Sequence, residues 1–152
     1  MAVQPTILVY IAAFAPDAGE SVGAIGDVFP APGTANGFVD SDGYLWIQPK
    51  KFGESFCQDL PPDEQLVMAV TQKAPLVKTA GDPVTSPPWK KKPSWYQISS
   101  EDRMIAPDNQ RRMSSRMSAR KVITLPSSHV SLASKPVEVA AFIDEAAKTA
   151  AG

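Results

Sequence analysis

Hydrophobic residues gather in three short runs along the chain, and each run has the composition of a β-strand. The first, residues 6–14, is apolar on both alternating faces and rich in β-branched and aromatic residues. This pattern is typical of a strand buried on both sides in a parallel sheet. Two further runs, Ser94–Ser99 and Lys121–Leu125, predict a second and a third strand. A strand that is apolar on both faces needs a covering layer on each side of the sheet.

A helical pattern follows each of the two later strands. After the second strand, Pro107 can begin a helix that places Met113 and Met117 on one face. After the third strand, Ser134 can cap an amphipathic helix. The apolar positions of that helix are Val139, Phe142, Ile143, Ala146 and Ala147. The order strand, helix, strand, helix predicts right-handed crossovers, a parallel sheet and the α/β fold class.

The long stretch between the first and second strands carries no strand pattern. Most of the chain's fifteen prolines lie there, so we expect loops and short helices. Phe52 and Phe56 sit one helical turn apart, and residues 62–72 predict a short helix. The apolar side chains of this helix that we expect to face inward are Leu66, Ala69 and Val70.

These elements predict a single domain in three parts. A strand and loop occupy residues 1–29, and an insertion occupies residues 30–93. The C-terminal strands and helices occupy residues 94–152. Insertions of this length often act as lids or binding loops.

Reactive side chains follow the second and third strands. The second strand runs into Glu101 and Asp102, and the third is followed by His129, the chain's one histidine. Ligands of parallel α/β sheets bind at the carboxyl ends of the strands, which meet at one edge. We therefore expect an acid and a histidine to lie together, as a general base and its orienting carboxylate require. Taken alone, a histidine after a strand is more often structural or exposed.

Four segments resemble one protein family: "VYIAAFAPDAGES", "DGYLWIQPKKF", "PSWYQISSEDRMIAPDNQRRM" and "LPSSHVSLASKPVEVAAFIDEAA". They are similar to α/β hydrolases, in particular small bacterial members related to the plant methylesterase and hydroxynitrile lyase group. The resemblance covers nearly the whole chain. It implies a partial α/β-hydrolase fold, the C-terminal portion of its parent, with about three parallel strands, flanking helices and a helical lid.

The resemblance also implies site residues and an activity. Asp102 corresponds to the acid of a Ser-His-Asp triad and His129 to its general base, while Glu101 is the competing acid. The parent would hydrolyse a small ester or related acyl substrate through an acyl-enzyme, without a cofactor. The nucleophilic serine of such a parent lies upstream of Met1.

Ser21 is the serine of a second candidate motif, because "GESVG" matches the pattern G-x-S-x-G. A nucleophile elbow places its serine on a tight turn directly between a strand and a long helix. Here residues 15–18 separate the strand from Gly19, and Pro30 and Pro32 cut short any following helix. We therefore expect Ser21 to cap a helix. A compact enzyme that uses Ser21, His129 and Asp102 is the competing hypothesis.

Four aromatic side chains of the insertion are candidates for the wall of a substrate pocket. They are Tyr44, Trp46, Phe52 and Phe56. These side chains could equally serve to pack the insertion onto the body of the domain.

Composition narrows the remaining choices. Fifteen basic and sixteen acidic residues give a net charge near zero, so no overall electrostatic field would attract nucleic acid or an anionic membrane. No apolar run is long enough to span a bilayer. The single cysteine, Cys57, cannot form an internal disulfide, so we expect a cytoplasmic protein and a packing role for this thiol. No group of histidine, cysteine and carboxylate residues has the spacing of metal ligands, and we predict no metal site.

A hypothesis of a different class also fits the chain. It is a non-catalytic remnant or interaction module that forms a homo-oligomer through an exposed strand edge. The hydrolase hypothesis instead predicts a complementing N-terminal half and a small ester-like substrate as partners.

Overall fold

The computed structural model describes residues 7–151, and these residues form five strands and six α-helices. The strands are β1 (Leu8–Ile11), β2 (Gly37–Val39), β3 (Leu45–Ile47), β4 (Ser94–Ser99) and β5 (Lys121–Leu125). The helices are α1 (Val22–Val28), α2 (Pro49–Phe56), α3 (Pro62–Thr71), α4 (Pro107–Arg116), α5 (Ser131–Ser134) and α6 (Pro136–Ala151). Short 3₁₀ helices occupy Pro32–Asn36, Val77–Gly81 and Pro88–Lys90.

The main sheet is parallel, with β4 between β1 and β5. Every residue of β4 is buried, whereas β1 is only half-buried because it pairs with β4 alone among the described residues. Strand β1 is also shorter than the predicted residues 6–14. Thr6 lies outside the described residues, and Ala12 ends the strand with a φ of 43°, in the left-handed region.

Helices cover both faces of the sheet, and the predicted α/β class is confirmed. Tyr96 of β4 packs with Met113 and Met117 of the α4 region, whereas its neighbour Trp95 packs with Phe142 and other residues of α6 on the opposite face. This division follows from the strand geometry, in which successive side chains point to opposite faces.

The last helix differs from the prediction in two ways. Ser134 ends α5 instead of capping α6, which begins at Pro136. Proline suits the first turn of a helix because its missing N–H has no partner there in any case. Val139, Phe142 and Ala146 are buried as expected, but Ile143 and Ala147 are exposed because the buried stripe of α6 is narrower than its apolar stripe.

Residues 30–93 contain an antiparallel hairpin, β2 and β3, that the sequence pattern does not predict. Each strand has three residues, too few for a clear alternation. The turn is held by Asp40, whose Oδ1 accepts hydrogen bonds from the backbone N–H groups of Asp42 and Tyr44. A side chain therefore fixes this hairpin where the strands are too short to specify it.

Helix α3 turns a different face inward from the predicted one. Ala69 is buried with a 4% exposed fraction, but Leu66 and Val70 are 63% and 71% exposed. Ala69 belongs to a small core with Phe52, Cys57 and other residues of the same segment. A small side chain at the contact lets α3 approach its neighbours closely, so only a narrow strip of the helix is covered.

Candidate active site

The turn after β4 is built around the carboxylate of Asp102, whose side chain is completely buried. Asp102 Oδ1 accepts hydrogen bonds from the backbone N–H groups of Met104 (2.7 Å) and Ile105 (2.9 Å). These bonds stabilise the turn and hold one oxygen in place. The second oxygen, Oδ2, is left to face the neighbouring strand end.

His129 lies at that neighbouring strand end, beyond β5. Its Nδ1 is 2.8 Å from Asp102 Oδ2, and its side chain is 22% exposed. Because a carboxylate can only accept, Nδ1 carries the hydrogen in this pair. In the neutral ring Nε2 is then free to accept a proton, and it has no hydrogen-bond partner among residues 7–151.

The competing acid Glu101 does not face the histidine. Its side chain is exposed, and the residue contributes through its backbone: the N–H donates to Ser127 O (3.1 Å) and the carbonyl accepts from Gln58 Nε2 (2.6 Å). Adjacent residues point in different directions, so Asp102 is the carboxylate that meets His129.

Gln110 is a site residue that the sequence analysis misses. Its Nε2 donates to Asp102 Oδ2 (2.8 Å) and to Ile105 O (2.8 Å), and its Oε1 accepts from Ser99 N (3.0 Å). One signal was present in the sequence: Gln110 lies three residues before Met113, on the apolar stripe of α4. A polar residue on such a stripe is buried and must have partners.

A chain of buried hydroxyl and amide groups lies beneath the acid and the histidine. Ser99 Oγ accepts from Gln97 Nε2 (3.1 Å) and from Ser127 Oγ (3.0 Å), and Ser131 Oγ donates to Gln97 Oε1 (2.7 Å). All four side chains are fully buried. They tie both ends of the turn that carries His129 to the central strand β4.

Two residues of the 30–93 segment also contact the turn that carries His129. Phe56 packs its ring edge-to-face on the imidazole, with 4.8 Å between the ring centroids. Asp59 Oδ2 accepts from Ser128 N (2.9 Å). Burial raises the pKa of the Asp59 carboxyl, but hydrogen bonding, mainly from Ser128, outweighs it and the pKa lies below its usual value. The histidine is therefore supported from both parts of the chain.

Ser21 caps helix α1, as the sequence analysis expects. Its Oγ accepts from Ala24 N (3.2 Å), and its extended backbone is that of an N-cap residue. Neither Asp102 nor His129 hydrogen-bonds to it. The geometry of a nucleophile elbow is not formed around this serine.

A cavity of about 360 Å³ lies between the 30–93 segment and the acid–histidine turns. Its wall is mostly apolar and includes Leu45, Ile47, Phe52, Phe56, Met104 and Val130. A second cavity of about 560 Å³ adjoins it, and Leu45, Pro75 and Met104 line both. The first cavity lies next to His129, because two of its lining residues adjoin the histidine. Phe56 contacts the imidazole ring, and Val130 is the next residue in the sequence.

Phe52 and Phe56 line this first cavity, whereas Tyr44 and Trp46 do not. Side chains alternate along a strand, and in β3 Leu45 and Ile47 take the inner face. Trp46 points outward and its Nε1 donates to Asp40 Oδ2 (2.8 Å), while Tyr44 is exposed. These two aromatic side chains belong to the hairpin rather than to the pocket.

Cys57 is packed in the small core of the 30–93 segment. Burial, with a smaller contribution from the charge of Asp59, raises the pKa of its thiol to about 11. A thiol in this state is a poor nucleophile at neutral pH. Across residues 7–151 no cluster of three or more histidine, cysteine or carboxylate side chains is arranged to hold a metal ion.

A parallel sheet with an acid and a histidine at adjacent strand ends is one arrangement found among hydrolases. A family model described as "Alpha/beta hydrolase family" matches residues 1–142. The chain belongs to the alpha/beta hydrolase family. A comparison with curated protein sequences finds no match.

Solved structures share the fold of this alpha/beta hydrolase. Polyneuridine aldehyde esterase matches with a TM-score of 0.73 at 14% identity, over 92% of this chain and 62% of its own. A methylesterase from Arabidopsis matches with a TM-score of 0.71 at 15% identity, over 95% of this chain and 59% of its own. A pyrethroid hydrolase matches with a TM-score of 0.71 at 20% identity, over 96% of this chain and 62% of its own. The chain therefore spans about three fifths of the length of these proteins.

A plant methylesterase, of the group that the sequence resembles, is thus among the structures that share this fold. None of the helices within residues 7–151 has the length and apolar character needed to cross a bilayer.

Proposed function

We propose that this chain supplies the acid and the base of a Ser-His-Asp ester hydrolase. Asp102 orients His129, and His129 Nε2 takes the proton of a serine hydroxyl as that oxygen attacks the ester carbonyl. The imidazolium then donates the proton to the leaving alcohol. The observation that carries this proposal is the 2.8 Å contact of Asp102 Oδ2 with His129 Nδ1 at the carboxyl ends of neighbouring parallel strands.

Burial of the acid supports this assignment. A carboxylate without access to water stabilises a neighbouring imidazolium more strongly than an exposed one, because the local dielectric constant is lower. Asp102 also accepts three other hydrogen bonds, which keep its oxygens from rotating away from the ring. Orientation and charge are the two contributions that a triad acid makes.

The nucleophilic serine comes from a segment outside this chain in our proposal. Two observations support this: Ser21 is occupied as a helix cap, and His129 Nε2 has no hydrogen-bond partner among the described residues. The matched hydrolases are also longer than this chain. The proposed partner is therefore an N-terminal segment that brings the serine and the oxyanion-binding N–H groups.

The substrate class follows from the cavity beside His129. Its apolar wall favours an ester with a hydrophobic acyl or alcohol group of modest size, because a polar group buried there would lose its hydrogen bonds to water. Two of the matched structures are named as esterases and one as a pyrethroid hydrolase, which is consistent with this class.

The decisive experiment joins the chain to the coding sequence that precedes Met1 in the same reading frame. We expect the longer protein to hydrolyse p-nitrophenyl butyrate and to form one fluorophosphonate adduct on a serine outside this chain. His129→Ala should lower kcat by about 10⁴-fold or more, because the base of the triad is removed.

Two variants serve as matched controls. Ser21→Ala should keep both the adduct and the hydrolysis, and Glu101→Gln should hydrolyse the ester at close to the original rate. An adduct on Ser21, or hydrolysis that survives His129→Ala, would contradict the proposal. A longer protein that binds no fluorophosphonate and turns over no ester would favour the interaction module instead.

The interaction module remains a second candidate because of one observation. Strand β1 is an edge of the main sheet in the described structure, and its residues are only half-buried. An open edge with apolar side chains can pair with another chain.

A further inference from the structure

Gln110 is a fully buried amide on the inward face of α4, which also buries Met113. Burying an amide costs free energy unless its donors and acceptor are satisfied. Gln110 meets that condition with three hydrogen bonds, each to a different part of the site: Asp102 Oδ2, Ile105 O and Ser99 N. One side chain therefore links the end of β4, the acid and the turn that leads into α4.

The bond to Asp102 is made to the oxygen that also meets His129. Asp102 Oδ2 lies 2.8 Å from Gln110 Nε2 and 2.8 Å from His129 Nδ1. The other oxygen, Oδ1, is held separately by two backbone N–H groups. The amide thus donates to the same oxygen that accepts the imidazole hydrogen.

We propose that Gln110 is a positioning residue that shares Asp102 Oδ2 with His129. Its amide fixes the direction of the carboxylate and withdraws part of the negative charge that the imidazolium would otherwise receive. It acts on the histidine only through Asp102, so it sets the strength of His129 as a base without contacting substrate.

Removal of the Gln110 amide should change the pH at which His129 titrates. In Gln110→Met, a variant of similar length and shape, Oδ1 keeps its two backbone partners and Oδ2 accepts from His129 alone. The carboxylate then stabilises the imidazolium more strongly. The midpoint of the His129 titration should rise by about 0.5 pH unit or more, since the negative charge on Oδ2 is no longer shared with the amide.

The chain has one histidine, so the titration can be followed by NMR without assignment ambiguity. Two carboxylates hydrogen-bond to His129 or to the residue before it, Asp102 and Asp59, and the neutral Phe56 covers the ring from α2. All three remain in the variant. A change in the midpoint therefore reports the lost amide.

Gln97→Met is the matched control. Gln97 is also a fully buried glutamine with hydrogen bonds to the serine network, but among the described residues it makes no hydrogen bond to Asp102. Both variants should lower the melting temperature, whereas only Gln110→Met should move the midpoint. An unchanged midpoint in a folded Gln110→Met, or an equal shift in Gln97→Met, would show that Gln110 is merely structural.

A measurement on the unaltered chain covers the case in which a variant does not fold. The side-chain amide resonances of Gln110 should change with pH at the same midpoint as His129, because both donate to one oxygen. Those of Gln97 should stay constant. If the amide resonances of Gln110 did not shift as His129 titrates, the proposal would be overturned.

The catalytic meaning of this inference rests on the proposed function, but its test does not. The NMR titration reads the Asp102–His129 pair in the chain itself and needs no nucleophile. Failure of the ester-hydrolysis experiment with a shifted midpoint would leave Gln110 as the residue that tunes a non-catalytic pair.

Discussion

Asp102 accepts four hydrogen bonds, from two backbone N–H groups, one amide and one imidazole. A turn that needed only a cap would be satisfied by the first two. The additional partners, Gln110 and His129, come from different elements, so the carboxylate is a junction of the fold as well as the proposed acid. Glu101, its neighbour in sequence, has an exposed side chain and no such network.

This contrast gives a test at the scale of single residues. Asp102→Asn puts an NH₂ group where donors converge, so at least one buried donor loses its partner. We expect the free energy of unfolding to fall by about 2 kcal/mol or more, whereas Glu101→Gln should change it by less than about 0.5 kcal/mol. Urea denaturation of the two variants makes the comparison. Equal effects would show that the network around Asp102 contributes little to stability.

At the scale of elements, the long periodic segments were predictable and the short ones were not. Helix α4 begins at Pro107 as predicted, and Met113 and its capping residue Met117, one turn apart, are both buried. The β2–β3 hairpin has three-residue strands, so a carboxylate in its turn specifies it more than any alternation does.

The residues of the candidate site were also only partly predictable from the sequence. The sequence brings Asp102 and His129 to adjacent strand ends because sheet topology alone requires it. Gln110 is harder to find, since its only signal is the spacing that puts it three residues before Met113, and the partners of its amide come from other elements. Tyr44 and Trp46 do not line the first cavity because the alternation of β3 decides their direction, and that strand was not predicted.

Helix α3 offers a test of which face is buried. Leu66 is exposed, so Leu66→Ser should change the free energy of unfolding by less than about 0.5 kcal/mol. Ala69→Leu adds volume inside a packed core and should cost about 1 to 3 kcal/mol. Thermal denaturation of both variants checks the expectation. A larger loss for Leu66→Ser would mean that the apolar stripe read from the sequence is the buried one.

At the scale of the whole molecule, the 30–93 segment is fastened to the turn that carries the acid. Gly33 N donates to Arg103 O (2.7 Å), and Arg103 Nη1 donates in return to Glu54 O (2.8 Å). A Cβ at Gly33 would come within 2.5 Å of Arg103 O, so only glycine permits this approach. Because the proposed pocket lies between the two parts, this attachment sets its width next to His129.

Among the residues that the structure describes, no other strand pairs with the outer edge of β1. Within the described residues β1 pairs only with β4, through bonds such as Leu8 N to Pro93 O and Ala12 N to Gln97 O. Backbone groups alternate along a strand, so the N–H groups of Val9 and Ile11 point away from β4. An edge of this kind attracts another strand.

The isolated chain should therefore associate with itself through β1. We expect a concentration-dependent rise in sedimentation coefficient at tens of micromolar, and Val9→Pro should reduce it, because proline removes an outward N–H without breaking a bond to β4. Leu8→Pro, the matched control, removes an inward N–H and should lower the melting temperature instead. A chain that stays monomeric at all concentrations would remove the support for the interaction module. Association that disappears when the preceding segment is joined to the chain would mean that this segment covers β1, as the hydrolase proposal requires.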